Sequence, residues 1–76
     1  MKFKIVSFKD QVPELEVFKK FMEWQNIPYK LIIDFGLVME TTKGFPCILV
    51  YLDESLIAIG FFEFLDYIYK KGLKLI

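Results

Sequence analysis

Residues 2–34 run as a short apolar stretch, an amphipathic segment and a second short apolar stretch, and this order restricts the fold more than any other feature of the chain. In residues 2–8, Phe3 and Ile5 fall on one side of an extended backbone and Val6 and Phe8 on the other, which predicts a strand apolar on both faces in the middle of a sheet. Asp10 offers an N-cap oxygen, Pro13 suits a first helical turn, and Glu14 and Glu16 put negative charge at the positive end of a helix dipole. Leu15, Phe18, Met22 and Gln25 recur at steps of three and four with Phe21 beside them, while Lys19, Lys20 and Glu23 form the opposite face. The helix should stop at Asn26, because Pro28 cannot continue it. Residues 29–34, with Leu31, Ile32 and Ile33, read as a second strand. Strand, helix and strand in one sheet make a right-handed crossover, so these two strands are expected to be parallel.

Residues 35–45 contain Gly36, Thr41, Thr42 and Gly44 and have room for a loop or a single helical turn. Residues 47–52 and 55–59 are two apolar runs around Asp53-Glu54, the pattern of an antiparallel hairpin with a tight turn. Residues 61–71 place Phe61, Phe64, Leu65 and Ile68 at helical spacing, with lysines in the last turn and Gly72 as the C-cap. The predicted order is βαβ, loop, ββα, within one domain over residues 1–76.

Composition narrows the chemistry. Ten lysines balance ten acids, and arginine and histidine are both absent, so the chain lacks the basic footprint and the guanidinium fork that nucleic-acid readers favour. Without histidine there is no imidazole base and no histidine metal ligand, and one cysteine makes neither a CxxC pair nor a thiolate zinc site. No metal and no nucleic acid are expected. The acids fall at no recognisable acid/base spacing, and Glu14, Glu16, Glu23 and Asp66 read as solvated helix faces. No run approaches the ~18 apolar residues of a membrane span. A lone Cys47 and a start without a signal-peptide pattern fit a reducing, cytoplasmic setting, away from membranes.

The element order, with Gly44-Phe45-Pro46 opening the hairpin and Ile59-Gly60 closing it, resembles the glutaredoxins, small members of the thioredoxin-like superfamily. Counting back from Ile27-Pro28-Tyr29, the family's Cys-Pro-Tyr-Cys positions fall on Val12-Pro13-Glu14-Leu15, with Lys9 at its lysine position. The family's Thr-Val-Pro matches Gly44-Phe45-Pro46, its Ile-Gly-Gly followed by acids matches Ile59-Gly60-Phe61-Phe62-Glu63-Phe64-Leu65, and its Gly-Lys-Leu looks like Gly72-Leu73-Lys74. The resemblance implies an α/β thioredoxin-like fold with a four-stranded mixed sheet in order 2-1-3-4. It further implies two helices on one face, the family's second helix reduced or absent, and a cis bond before Pro46.

The proline of the motif is kept and both cysteines are gone. Thiol-disulfide exchange needs a thiolate at the helix N-terminus, which Val12 and Leu15 cannot supply. The resemblance, with these departures, therefore points to a redox-inactive binding protein rather than an enzyme, taking a peptide, a small thiol or a partner protein. Its groove would be formed by Lys9, Val12, Pro13, Phe45, Pro46, Phe62 and Glu63. Glutathione is the family's ligand, but Phe61 and Phe62 stand where small residues let it lie close.

Cys47, next to Pro46, is either a thiol activated by the helix N-terminus, making the chain a monothiol oxidoreductase or transferase, or a small buried hydrophobe. A purely structural subunit of a larger assembly is the other alternative. Lys9 is an anion ligand or a solvated lysine, and Trp24 stands between core and interface. Phe61, Phe62 and Phe64 with Tyr67 and Tyr69 exceed what one short helix can bury, so some apolar surface should remain exposed. Without a second helix the opposite sheet face would be open, with Val6, Phe8, Ile48, Val50 and Leu52 needing cover from a homodimer or partner, or else from Leu37, Val38 and Met39 folded back.

Overall fold

The structure is a computed structural model and describes residues 2–71. Seven elements follow in the order β1 (Phe3–Ser7), α1 (Pro13–Trp24), β2 (Tyr29–Ile33), α2 (Phe35–Thr42), β3 (Leu49–Leu52), β4 (Ser55–Ile59) and α3 (Phe61–Lys70). The sheet order is β2-β1-β3-β4. β1 and β2 are parallel, with Ile5 opposite Leu31, and β1–β3 and β3–β4 are antiparallel, with Ile5 opposite Val50 and Val50 opposite Ala58. The α/β class, the mixed sheet and its 2-1-3-4 order agree with expectation.

Strand alternation divides the apolar residues between two layers. Phe3 and Ile5 of β1 join Ile48 and Val50, Leu15, Phe18 and Met22 of α1, and Phe64 and Ile68 of α3 in the larger core. Phe18 meets Phe61 edge-on at 5.0 Å between ring centroids, and Phe3 meets Phe64 at 6.1 Å, so α1 and α3 share one aromatic layer over the sheet. The register shifts between Val50 and Tyr51, leaving Ile57 as an extra residue in β4. That bulge lets Ile57 and Ala58 both face the larger core.

The segment expected to be a loop or single turn is a two-turn helix, α2. Asp34, expected to end the second strand, is its N-cap and its Oδ1 accepts from the Leu37 N–H at 3.0 Å. At the other end Lys43 takes a left-handed conformation, φ 61°, and the Gly44 N–H donates to the Met39 carbonyl at 2.8 Å. Val38 is fully buried and forms a second core with Val6 and Leu49. The sheet face opposite α1 and α3 is therefore covered at Val6. Ile48, Val50 and Leu52, expected on that face, point into the larger core instead.

Two further expectations are corrected. Asp10 does not cap α1: the N-cap is Val12, with no side-chain cap bond, and Pro13 at the first helical position removes one N–H that would need a partner. No cis peptide bond occurs among the described residues, so the Phe45–Pro46 bond is trans. Thr42 shapes that turn, since its Oγ1 accepts from the Phe45 N–H at 2.9 Å and lies 2.6 Å from the Phe45 carbonyl. With a side chain holding the turn, the bond keeps the isomer intrinsically favoured by about 0.5–1 kcal/mol. The matches at Gly72, Leu73 and Lys74 lie outside the described residues. Among the described residues no helix is long and apolar enough to cross a membrane.

Candidate functional site

β1 and β4 run in the same direction, each leads into a helix on the same face, and the N-termini of α1 and α3 consequently meet. Glu14, in the first turn of α1, makes that junction: its Oε2 accepts the Phe61 N–H at 3.1 Å, the first amide of α3. A carboxylate there offsets the positive end of the α3 dipole. Gly60, the N-cap of α3, has φ 91° and ψ 163° and donates its N–H to the Ile48 carbonyl at 2.7 Å. Having no side chain, it cannot cap, and Glu63 in the same first turn reaches back so that its Oε1 accepts the Ile59 N–H at 3.1 Å. Two carboxylates thus occupy backbone donors where a helix-terminal site would otherwise offer them to a ligand anion.

Cys47 lies beside this pair. Burial pushes its thiol above the ordinary value, and the charges of Glu14 and then Glu63 push it further in the same direction. A thiolate nucleophile needs the opposite surroundings, a cation or a free helix N-terminus. Between the two alternatives for Cys47 the geometry favours neither a fully buried hydrophobe nor an activated thiol; it is half-buried, unpaired and protonated near neutrality.

The sequence-expected residues come together only in part. Glu63 and Cys47 share the junction, with Phe62 next to the former and Pro46 next to the latter. Phe62 is 86% and Phe45 70% exposed, so both rings stand in solvent at the ends of segments leading to the junction. Val12 is half-buried on the larger core, and Leu15, at the family's second cysteine position, is wholly inside it. Val12 and Pro13 line a recess of about 550 Å³ with Asp10, Gln11, Glu16 and Lys19. Lys9, Phe45, Pro46, Phe62 and Glu63 do not line that recess. Lys9 is exposed in the β1–α1 loop, where its backbone brackets the Ser7 hydroxyl: Ser7 Oγ donates to the Lys9 carbonyl at 2.6 Å.

Glu14 is the residue of this junction that sequence reasoning missed. It was expected on a solvated helix face, whereas it is half-buried and bonded to a residue 47 positions later. A signal existed, since two helices following parallel strands must begin at the same sheet edge, and an acid in one first turn can reach the other. Compared with known proteins, the chain matches no family model, no curated protein and no solved structure.

Proposed function

We propose that this chain is a redox-inactive, glutaredoxin-like binding protein that takes a peptide segment of a partner protein at the joined N-termini of α1 and α3. The observation that carries this reading is the position of Cys47, the chain's one thiol, beside Glu14 and Glu63, which hold it protonated, while Val12 and Leu15 occupy the positions where the resembled family carries its cysteines. What remains at the junction is recognition. The exposed rings of Phe45 and Phe62 offer apolar area, and the two carboxylates select for positive charge. Glutathione, an anion at neutral pH, would meet carboxylates where it needs donors, so a basic, apolar peptide fits better. An unpaired cysteine also suits a reducing compartment.

Two measurements test the reading. In glutathione-dependent disulfide reduction the protein should turn over no faster than its Cys47→Ser variant, and a clear excess over that control overturns the proposal. In calorimetry, a peptide alternating lysine and phenylalanine should bind, and Phe62→Glu should abolish the heat; tighter binding of a glutamate-rich counterpart would be equally fatal.

A further inference from the structure

The outward side of the α1–α3 layer carries an apolar strip that the larger core uses only at Phe21. On α1, Val17, Phe21 and Trp24 recur at steps of four and three, and on α3, Phe62, Leu65 and Tyr69 recur at steps of three and four. Phe21 fixes where the strip lies: its ring meets Phe61 at 5.6 Å and Trp24 at 6.4 Å, so the three α1 residues flank the seam with α3. Leu65, one turn after Phe61, flanks the same seam from α3, with Tyr69 one turn beyond it. Trp24 is 66% and Tyr69 81% exposed, and Val17 is nearly half exposed.

Counting about 200 Å² for a fully exposed aromatic side chain, Trp24, Phe62 and Tyr69 alone leave on the order of 450 Å² of ring surface in water. That already fills the ~300–600 Å² of the largest patch on a typical monomer, before Val17, Phe21 and Leu65 are added. A standard interface needs ~800 Å² from each partner, and this strip with its rim approaches that. Lys20 borders the strip on the α1 side, and on the α3 side Asp66 is paired with Lys70 at 3.0 Å, so a twofold axis along the seam sets α1 of one copy over α3 of the other and places Lys20 against a neutralised pair rather than against a lone like charge.

We infer that the α1–α3 seam is a homodimer interface, occupied by the same seam of a second copy. The strip shares Phe62 with the peptide site but extends away from it through Val17, Trp24 and Tyr69, and it places self-association on the helical layer rather than on the sheet face that α2 covers.

Trp24 is the only tryptophan of the chain and reports the event directly. Light scattering from micromolar to millimolar protein should show the mass doubling, with the Trp24 emission moving to shorter wavelength over the same range. A Tyr69→Glu variant, which leaves Trp24 in place, should stay monomeric with red-shifted emission throughout and an unchanged far-UV spectrum. Because Tyr69 is exposed, loss of fold in that variant is not expected; Val17→Glu, on the other helix, provides the second break. A wild-type mass that stays monomeric across the range, a dimer that survives both substitutions, or a dimer broken instead by Leu56→Glu on the sheet would each overturn the inference.

Discussion

Replacing Val38 by alanine tests whether α2 is held by the sheet. Val38 is the buried residue of α2, fully enclosed against Val6 and Leu49. The substitution removes two methyl groups, about 1.6 kcal/mol at ~0.8 kcal/mol for each carbon buried. A cavity adds to this, but the half-buried Leu37 and Ile32 pack at the edge of the same cluster and can settle into part of the space. The expected cost is about 1.5–2.5 kcal/mol, a sizeable part of the ~4–11 kcal/mol that a chain this long can command. In thermal unfolding followed by circular dichroism, Tm should fall by roughly 6–20 °C. Phe35→Ala on the same helix serves as the control. Phe35 is 58% exposed and alanine is the better helix former, so its cost should stay below about 0.5 kcal/mol. If Val38→Ala costs no more than Phe35→Ala, then α2 is not packed on the sheet and the second core is an incorrect description.

Three other outcomes are expected. Because the Cys47 thiol titrates above its ordinary value, the folded state holds that proton more tightly than the unfolded chain; stability is complete below pH 9.0 and declines as pH rises through the higher folded value. Cys47→Ser should flatten that alkaline slope in urea titrations, and identical slopes in both proteins would contradict the assignment. Gly60→Ala should lose about 1–3 kcal/mol through its backbone alone, since φ is 91° and an added Cβ would meet nothing nearer than Glu14 Oε2 at 3.6 Å; an unchanged urea midpoint would count against that backbone conformation. Asp53 and Glu54 turn the hairpin with φ of 49° and 73°, a mirror-image turn that glycine prefers at its second position. Glu54→Gly should therefore raise stability by about 0.5–1 kcal/mol even though it removes the exposed 3.8 Å pair with Lys4, and a lower Tm would refute the strain argument.

Short-range patterns carried most of the architecture. Periodicity placed α1, α3 and the strands to within a residue or two, and the crossover rule supplied the parallel β1–β2 pair, because each depends on side-chain spacing along one segment. α2 escaped notice for a physical reason. Its glycine and two threonines are weak helix formers, and the helix stands on the Asp34 cap, the left-handed Lys43 and the burial of Val38. The turn before Pro46 was misread because its isomer depends on what holds the loop, here the Thr42 hydroxyl.

At the site, residue identity alone excludes thiol-disulfide exchange at the α1 terminus, since Val12 and Leu15 cannot ionise whatever their surroundings. The state of Cys47 is a different kind of property. It depends on which charges lie within a few ångströms, and Glu14 and Glu63 are 33 residues before it and 16 after it along the chain. Only the meeting of the two helix N-termini brings them there. Chemistry that requires a particular group is settled by the absence of that group from the chain, whereas the ionisation of a group that is present is settled by burial and distance, which tertiary packing alone creates.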